Sequence, residues 1–144
     1  MNDEVNRPAN MAAHKILVAD DEPAIRRLMI AALVPSGYHV DGAEDGAAAW
    51  EALQTRRYDL LITDNNMPKV TGVELLEKLH ATRLALPVIM VTGVAPHEEL
   101  AGRPWLQPAR ILIKPFTMAA LPRAVRTALS AINKSAMAFD SYEF

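Results

Sequence analysis

The feature that most constrains this chain is a set of short apolar runs, each stopped by a polar residue. Ile16-Leu17-Val18-Ala19 ends at Asp20-Asp21, and Leu60-Leu61-Ile62-Thr63 ends at Asp64. Val88-Ile89-Met90-Val91 ends at Thr92, and Ile111-Leu112-Ile113 ends at Lys114-Pro115. Strands that are apolar at every position are buried on both faces. Between the runs lie helical patterns. Pro23 suits a first helical turn, and Ile25, Leu28, Met29 and Ala32 mark one face at a 3.6-residue period. Pro35-Ser36-Gly37 breaks that helix, and a short strand is expected at Tyr38–Asp41. A second helix is expected over Gly46–Gln54, and a third after the loop Asn65–Thr71, carrying Val73, Leu75, Leu76 and Leu79. The last carries Leu121, Val125, Ala128, Leu129 and Ile132; Pro122 predicts a start near Leu121, and the pattern continues through Ala136 to Phe139.

Strands alternating with amphipathic helices predict βαβ units and a parallel sheet. Five strands and five helices make one α/β, doubly wound sheet. In such sheets ligands bind beyond the carboxyl ends of the strands. Asp20, Asp21, Asp64, Thr92 and Lys114, far apart in sequence, should therefore meet on one edge. No G-x-G-x-x-G or Walker-type loop makes that edge a nucleotide site.

The 144 residues suit one domain, expected as a leader at 1–13, a core at 14–134 and a tail at 135–144. With no cysteine, disulfides, thiolate catalysis and cysteine-held metals are excluded. A net charge of −2 supplies no global field for nucleic acid or an anionic membrane. No apolar run approaches the roughly 18 residues of a membrane span, and the N-terminus lacks the apolar core of a signal peptide. A cytoplasmic protein without membrane insertion or direct nucleic-acid binding is expected.

Three carboxylates brought together raise one another's pKa unless a cation compensates. With no Cys or suitably spaced His, the donor set is all oxygen, which suits Mg²⁺. A carboxylate beside bound Mg²⁺ can attack a phosphoryl group and form an aspartyl phosphate. An ammonium and a hydroxyl stabilise the transferred group, and Lys114 and Thr92 offer these. His14, His39, His80 and His97 lack metal-type spacing and read as structural or solvated; Met29, Met90 and Met118 read as core fillers, and Glu74 and Glu77 as a solvated helix face.

The four strand-end motifs, in order, resemble the receiver domains of bacterial two-component response regulators, of the chemotaxis-regulator type. They are Asp20-Asp21, Asp64-Asn65-Asn66-Met67-Pro68-Lys69-Val70-Thr71-Gly72, Ile89-Met90-Val91-Thr92-Gly93 and Ile113-Lys114-Pro115-Phe116. The resemblance covers about residues 14–134. It implies a flavodoxin-like strand order 2-1-3-4-5 with helices on both faces. It implies that Asp64 accepts a phosphoryl group from the phosphohistidine of a sensor histidine kinase or phosphotransfer protein. Asp21 would ligate Mg²⁺ directly, Asp20 mainly through water, and Asn66 through its backbone carbonyl, beside Asp64 itself. Thr92 and Lys114 would hold the phosphoryl oxygens. The bond before Pro115 would be cis, and Gly72 would stand where a side chain is poorly tolerated. Such a protein catalyses only its own phosphorylation and dephosphorylation, and is a switch rather than a turnover enzyme. Its downstream target would be another protein. The length leaves no room for a DNA-binding output domain, so a stand-alone switch is expected. The aromatic, acidic tail Phe139–Phe144 is either a frayed end or a docking segment for a partner or a second copy, as in a homodimer.

Two departures stand out. Receivers usually carry Tyr or Phe three residues before the lysine, where this chain has Ile111, which puts the threonine–aromatic relay in question. Pro96, Pro104 and Pro108, with Gly93 and Gly102, fall where a fourth helix belongs. An interior proline costs a helix about 3 kcal/mol, so only one turn near Glu98–Ala101 is expected, and with it an altered output face. Trp105 is either an exposed contact or a seal on the core. Two rival functions are a phosphorylation-independent interaction module and a small aspartyl-phosphate hydrolase. The second usually wants an acid at the position of Asn66.

Overall fold

The computed structural model describes residues 13–141, with side chains to residue 131. Five parallel strands form one sheet in the order β2-β1-β3-β4-β5: β1 Lys15–Ala19, β2 His39–Ala43, β3 Leu60–Thr63, β4 Val88–Thr92 and β5 Arg110–Ile113. The helices are α1 Pro23–Leu33, α2 Gly46–Thr55, α3 Gly72–Ala81, α4 His97–Leu100 and α5 Ala120–Ser141. None of them is long and apolar enough to cross a membrane.

The all-apolar strands are buried because the sheet carries a core on each face. Leu17, Leu61 and Met90 pack with α2 and α3 residues such as Leu53, Leu75 and Leu79. Their strand neighbours Ile16, Val18, Ile62, Ile89 and Val91 point the other way, onto Met29 and Leu33 of α1 and Leu121 and Val125 of α5. Successive strand residues face opposite sides, so a strand with a core on each side must be apolar throughout. The register then sets the site. Ala19 pairs with both Ala43 and Thr63, Thr63 with Met90, and Thr92 with Ile113. The ends of β1, β2 and β3 are level and those of β4 and β5 run two residues further, so the polar residues after them emerge along one edge.

Several expectations need correction. Leu28 is about half exposed; the buried stripe of α1 follows i, i+4 spacing through Ile25, Met29 and Leu33, and Leu28 stands beside it. The second strand begins and ends later than Tyr38–Asp41, running to Ala43. Ile113 is also about half exposed, although its run is apolar, because β5 lies at the sheet's edge. Glu74 is exposed but closes a capping box with Thr71 at the start of α3. Glu77 pairs with Arg103 at 2.7 Å. The four histidines, expected to be structural or solvated, are all exposed, in keeping with that reading.

The β4–β5 connection follows its prolines. α4 is a single turn, and a 3₁₀ turn occupies Pro104–Leu106. Leu100 and Leu106 are buried, whereas Trp105 lies at the surface, 55% exposed, with its ring 6.2 Å from that of His80. The core seal is therefore Leu106. α5 starts at Ala120, with Pro122 in its first turn, where a missing N–H costs nothing. The leader lies outside the described residues apart from Ala13, and so do the side chains of the tail.

Candidate functional site

The carboxylates of Asp20, Asp21 and Asp64 each place an oxygen within 4.8 Å of the others. They come from the ends of β1 and β3, which are adjacent strands. Asp20 is fully buried and Asp64 nearly so, while Asp21 is exposed at the rim. Lys114 reaches them from the end of β5. Its ammonium donates to Asp64 Oδ2 at 3.0 Å and to Asp20 Oδ2 at 3.4 Å. The Lys114 backbone N–H is anchored on the Thr92 carbonyl at 2.9 Å, and the Lys114–Pro115 peptide bond is cis.

The electrostatics follow from burial and charge count. Burial pushes the Asp20 carboxyl above its ordinary value, because a desolvated carboxylate is costly. The Glu22 N–H and the Lys114 ammonium pull it back, and the neighbouring Asp64 pushes it further up. Burial by itself would lower the Lys114 ammonium, but the carboxylates of Asp64 and Asp20 outweigh it and hold it above the usual lysine value. Three carboxylates facing one ammonium leave two negative charges uncompensated. An all-oxygen donor set with that deficit fits a hard divalent cation. Asp20, Asp21 and Asp64 are the carboxylates that would hold it.

The loop after β3 is folded tightly around Asp64. Its Oδ1 accepts the Asn66 N–H at 3.1 Å, which sets Asn66 at the mouth of the site. Asn65 is buried, and its side-chain oxygen accepts the Val73 N–H at 2.9 Å, tying the loop to the start of α3. A Cβ on Gly72 would sit 2.7 Å from the Asp64 carbonyl oxygen and 3.0 Å from Asn65 Cα, so the position admits no side chain without moving the loop. Thr92 stands at the neighbouring strand end and is fully buried. Its hydroxyl donates to the Val94 carbonyl at 3.3 Å, not to the carboxylates.

The site has supports that the sequence did not reveal. Arg26 of α1 donates to the Asp20 carbonyl at 2.7 Å. The Asp20 N–H is held by the Ala43 carbonyl at 3.2 Å, and the Asp20 carboxylate accepts the Glu22 N–H at 2.9 Å. Arg26 lies in the first turn of α1, and no local pattern marks it as turned back toward the strand end.

Residues 16–126 match the family model of the response regulator receiver domain. The chain is similar to the response regulator receiver protein CpdR of Brucella abortus, 33% identical over 117 residues that cover 81% of this chain and 98% of that protein. Among solved structures it is similar to a CheY-like response regulator receiver domain protein from Methanospirillum hungatei. That likeness has a TM-score of 0.78 and 28% identity, over 85% of this chain and 98% of the other. It is also similar to the response regulator protein TrrA of Thermotoga maritima, solved in complex with Mg²⁺-BeF. There the TM-score is 0.70 at 30% identity, over 80% of this chain and 98% of the other.

Proposed function

This chain belongs to the response regulator receiver domain family, and on that premise we propose that it is a Mg²⁺-dependent switch that takes a phosphoryl group on Asp64. The observation that carries the reading is the Lys114 ammonium, 3.0 Å from Asp64 and shared with Asp20. A carboxylate so placed is a nucleophile with a counter-charge already aimed at the incoming phosphoryl oxygens.

In this reading an Asp64 oxygen attacks phosphorus in line with the bond to the leaving group. With a phosphohistidine donor from a sensor kinase or phosphotransfer protein, the P–N bond breaks and the imidazole leaves with a proton from solvent. With an acyl phosphate, the P–O bond breaks and a carboxylate leaves. Either way an Asp64 acyl phosphate forms. Lys114 then transfers its pairing from the Asp64 carboxylate to the phosphoryl oxygens. Thr92 supplies a further hydrogen bond once its hydroxyl leaves the Val94 carbonyl. Asp20, Asp21, Asp64 and the Asn66 carbonyl would hold Mg²⁺, which when bound would neutralise charge on the transferred group. The acyl phosphate carries about −1.5 to −2 charge where the carboxylate carried −1, a net gain of about −0.5 to −1. Release of the Thr92–Val94 hydrogen bond is the local change that this charge drives, and it opens directly into the irregular 93–109 segment. The downstream partner is a protein that reads that surface, and the setting is the cytoplasm, where kinases have ATP.

A second reading is the receiver fold used as an interaction module without phosphorylation. It is favoured by Ile111 at the aromatic position and by the Thr92 hydroxyl being engaged elsewhere. Incubation with Mg²⁺ and acetyl phosphate separates the two. The switch gains the mass of one phosphoryl group, and the gain disappears in Asp64→Asn and with chelator. Absence of an adduct, or its persistence in the variant, favours the module.

A further inference from the structure

The loop that carries Asn66 is braced from outside the site by the segment between β2 and α2. A Cβ at position 46 would overlap the Val70 carbonyl oxygen outright, and would lie 2.6 Å from the Val70 carbonyl carbon and 2.7 Å from its Cβ. The atoms in the way are backbone, which cannot swing aside as the end of a side chain can. The residue before it, Asp45, is buried and works in two directions. One carboxylate oxygen accepts the Ala48 N–H at 2.7 Å and caps α2. The other takes the Lys69 ammonium at 3.3 Å, from the same loop as Val70. Lys69 holds a positive φ of 71°, a conformation that costs a side-chain-bearing residue energy and persists when surroundings impose it. The same segment holds Asp20 through the Ala43 carbonyl. One short stretch thus touches both walls of the site and contributes no atom to it.

We propose that Asp45 and Gly46 are positioning residues: they seat the 65–72 loop so that Asn66 stays beside Asp64 as a ligand for the divalent cation. This rests on the function proposed above. The loop is anchored at its far end by Asn65 on Val73, so a push at Val70 cannot be absorbed by rotating the loop outward. It is passed along Lys69 and Pro68 toward Asn66. Outer supports of metal ligands change affinity by about 10–100-fold when altered.

The experiment uses the full chain as wild type, Gly46→Ala and Asp45→Asn. Mg²⁺ affinity is read by calorimetry, folding by thermal melts, and labelling by acetyl phosphate as a function of Mg²⁺. Gly46→Ala should raise the Mg²⁺ Kd about tenfold. At a temperature where the thermal melts show both proteins fully folded without metal, saturating Mg²⁺ should restore its labelling rate to within about twofold of wild type. Asp45→Asn keeps the helix cap but loses the ion pair, and should raise Kd about threefold, as expected of a partly exposed pair. If Gly46→Ala fails to fold, Asp45→Asn decides. Wild-type affinity in the folded variants overturns the proposal while leaving the function intact. A wild type that binds no Mg²⁺ overturns both.

Discussion

The carboxyl edge of the sheet and the β4–β5 connection are built on opposite plans. At the edge, the buried carboxylates and Lys114 each have several partners. Asp20 is held by the Glu22 N–H, the Ala43 carbonyl and the Lys114 ammonium, and Arg26 supports it from behind. Asp64 has Lys114 and the Asn66 N–H. In the connection, 93–109 is held by two buried leucines, the Arg103–Glu77 pair and Gln107 on the carbonyls of Leu100 and Arg103. At the edge the strand register fixes where each residue emerges. The connection has one helical turn, one 3₁₀ turn and exposed apolar side chains at Val94 and Trp105. In the function proposed above, the chemistry belongs to the well-braced edge and the output surface to the irregular connection.

That division makes measurable claims. The largest effect is expected at the edge: Lys114→Ala should slow labelling by about 10²–10³-fold, as loss of a comparable charge stabiliser does elsewhere, with little change in melting temperature. An unchanged rate would remove Lys114 from the site. In the connection the effect should reverse. Leu106 is 1% exposed, so Leu106→Ala should cost about 2–3 kcal/mol of stability in a denaturant titration. Labelling should stay within about twofold of wild type while the protein is folded, because this turn precedes β5 at the far end of the sheet. A large labelling defect in folded protein would erase the distinction drawn between the two regions.

A smaller effect tests the charge deficit. The Asp20 carboxyl titrates above its ordinary value of 3.8 in the fold. Its contribution therefore favours the fold below that value and is lost as pH rises through the folded pKa. Without metal, Asp20→Asn should be more stable than wild type at pH 7. The advantage should shrink toward acid. Added Mg²⁺ should stabilise wild type more than the variant. Equal stability across pH would mean that the buried carboxylate is already fully compensated.

The sequence carried the fold well because its strongest signal, apolar runs ending in polar residues, is also what sets the sheet. The convergence of Asp20, Asp21, Asp64 and Lys114 and the collapse of the fourth helix at Pro96, Pro104 and Pro108 were readable from the residues, and the strand order from the family resemblance. What escaped was of two kinds. Periodicity locates an apolar stripe but not how much of it is covered, so Leu28 and Ile113 were placed too deep. Contacts between loops have no local signature, so Arg26 behind Asp20, Glu77 on Arg103, and Asp45 and Gly46 against the 65–72 loop appeared only in three dimensions. Thr92 belongs to both kinds. Its strand end was foreseen, but the direction of its hydroxyl was not.

The most direct test of the account is a crystal structure grown with Mg²⁺ and beryllofluoride. The predicted result is one ion ligated by Asp21, Asp64 and the Asn66 carbonyl with Asp20 close by, and the fluoroberyllate on Asp64 within hydrogen-bond reach of Lys114 and Thr92. An ion bound elsewhere, or a fluoroberyllate that leaves Lys114 paired to the carboxylates as before, would contradict it.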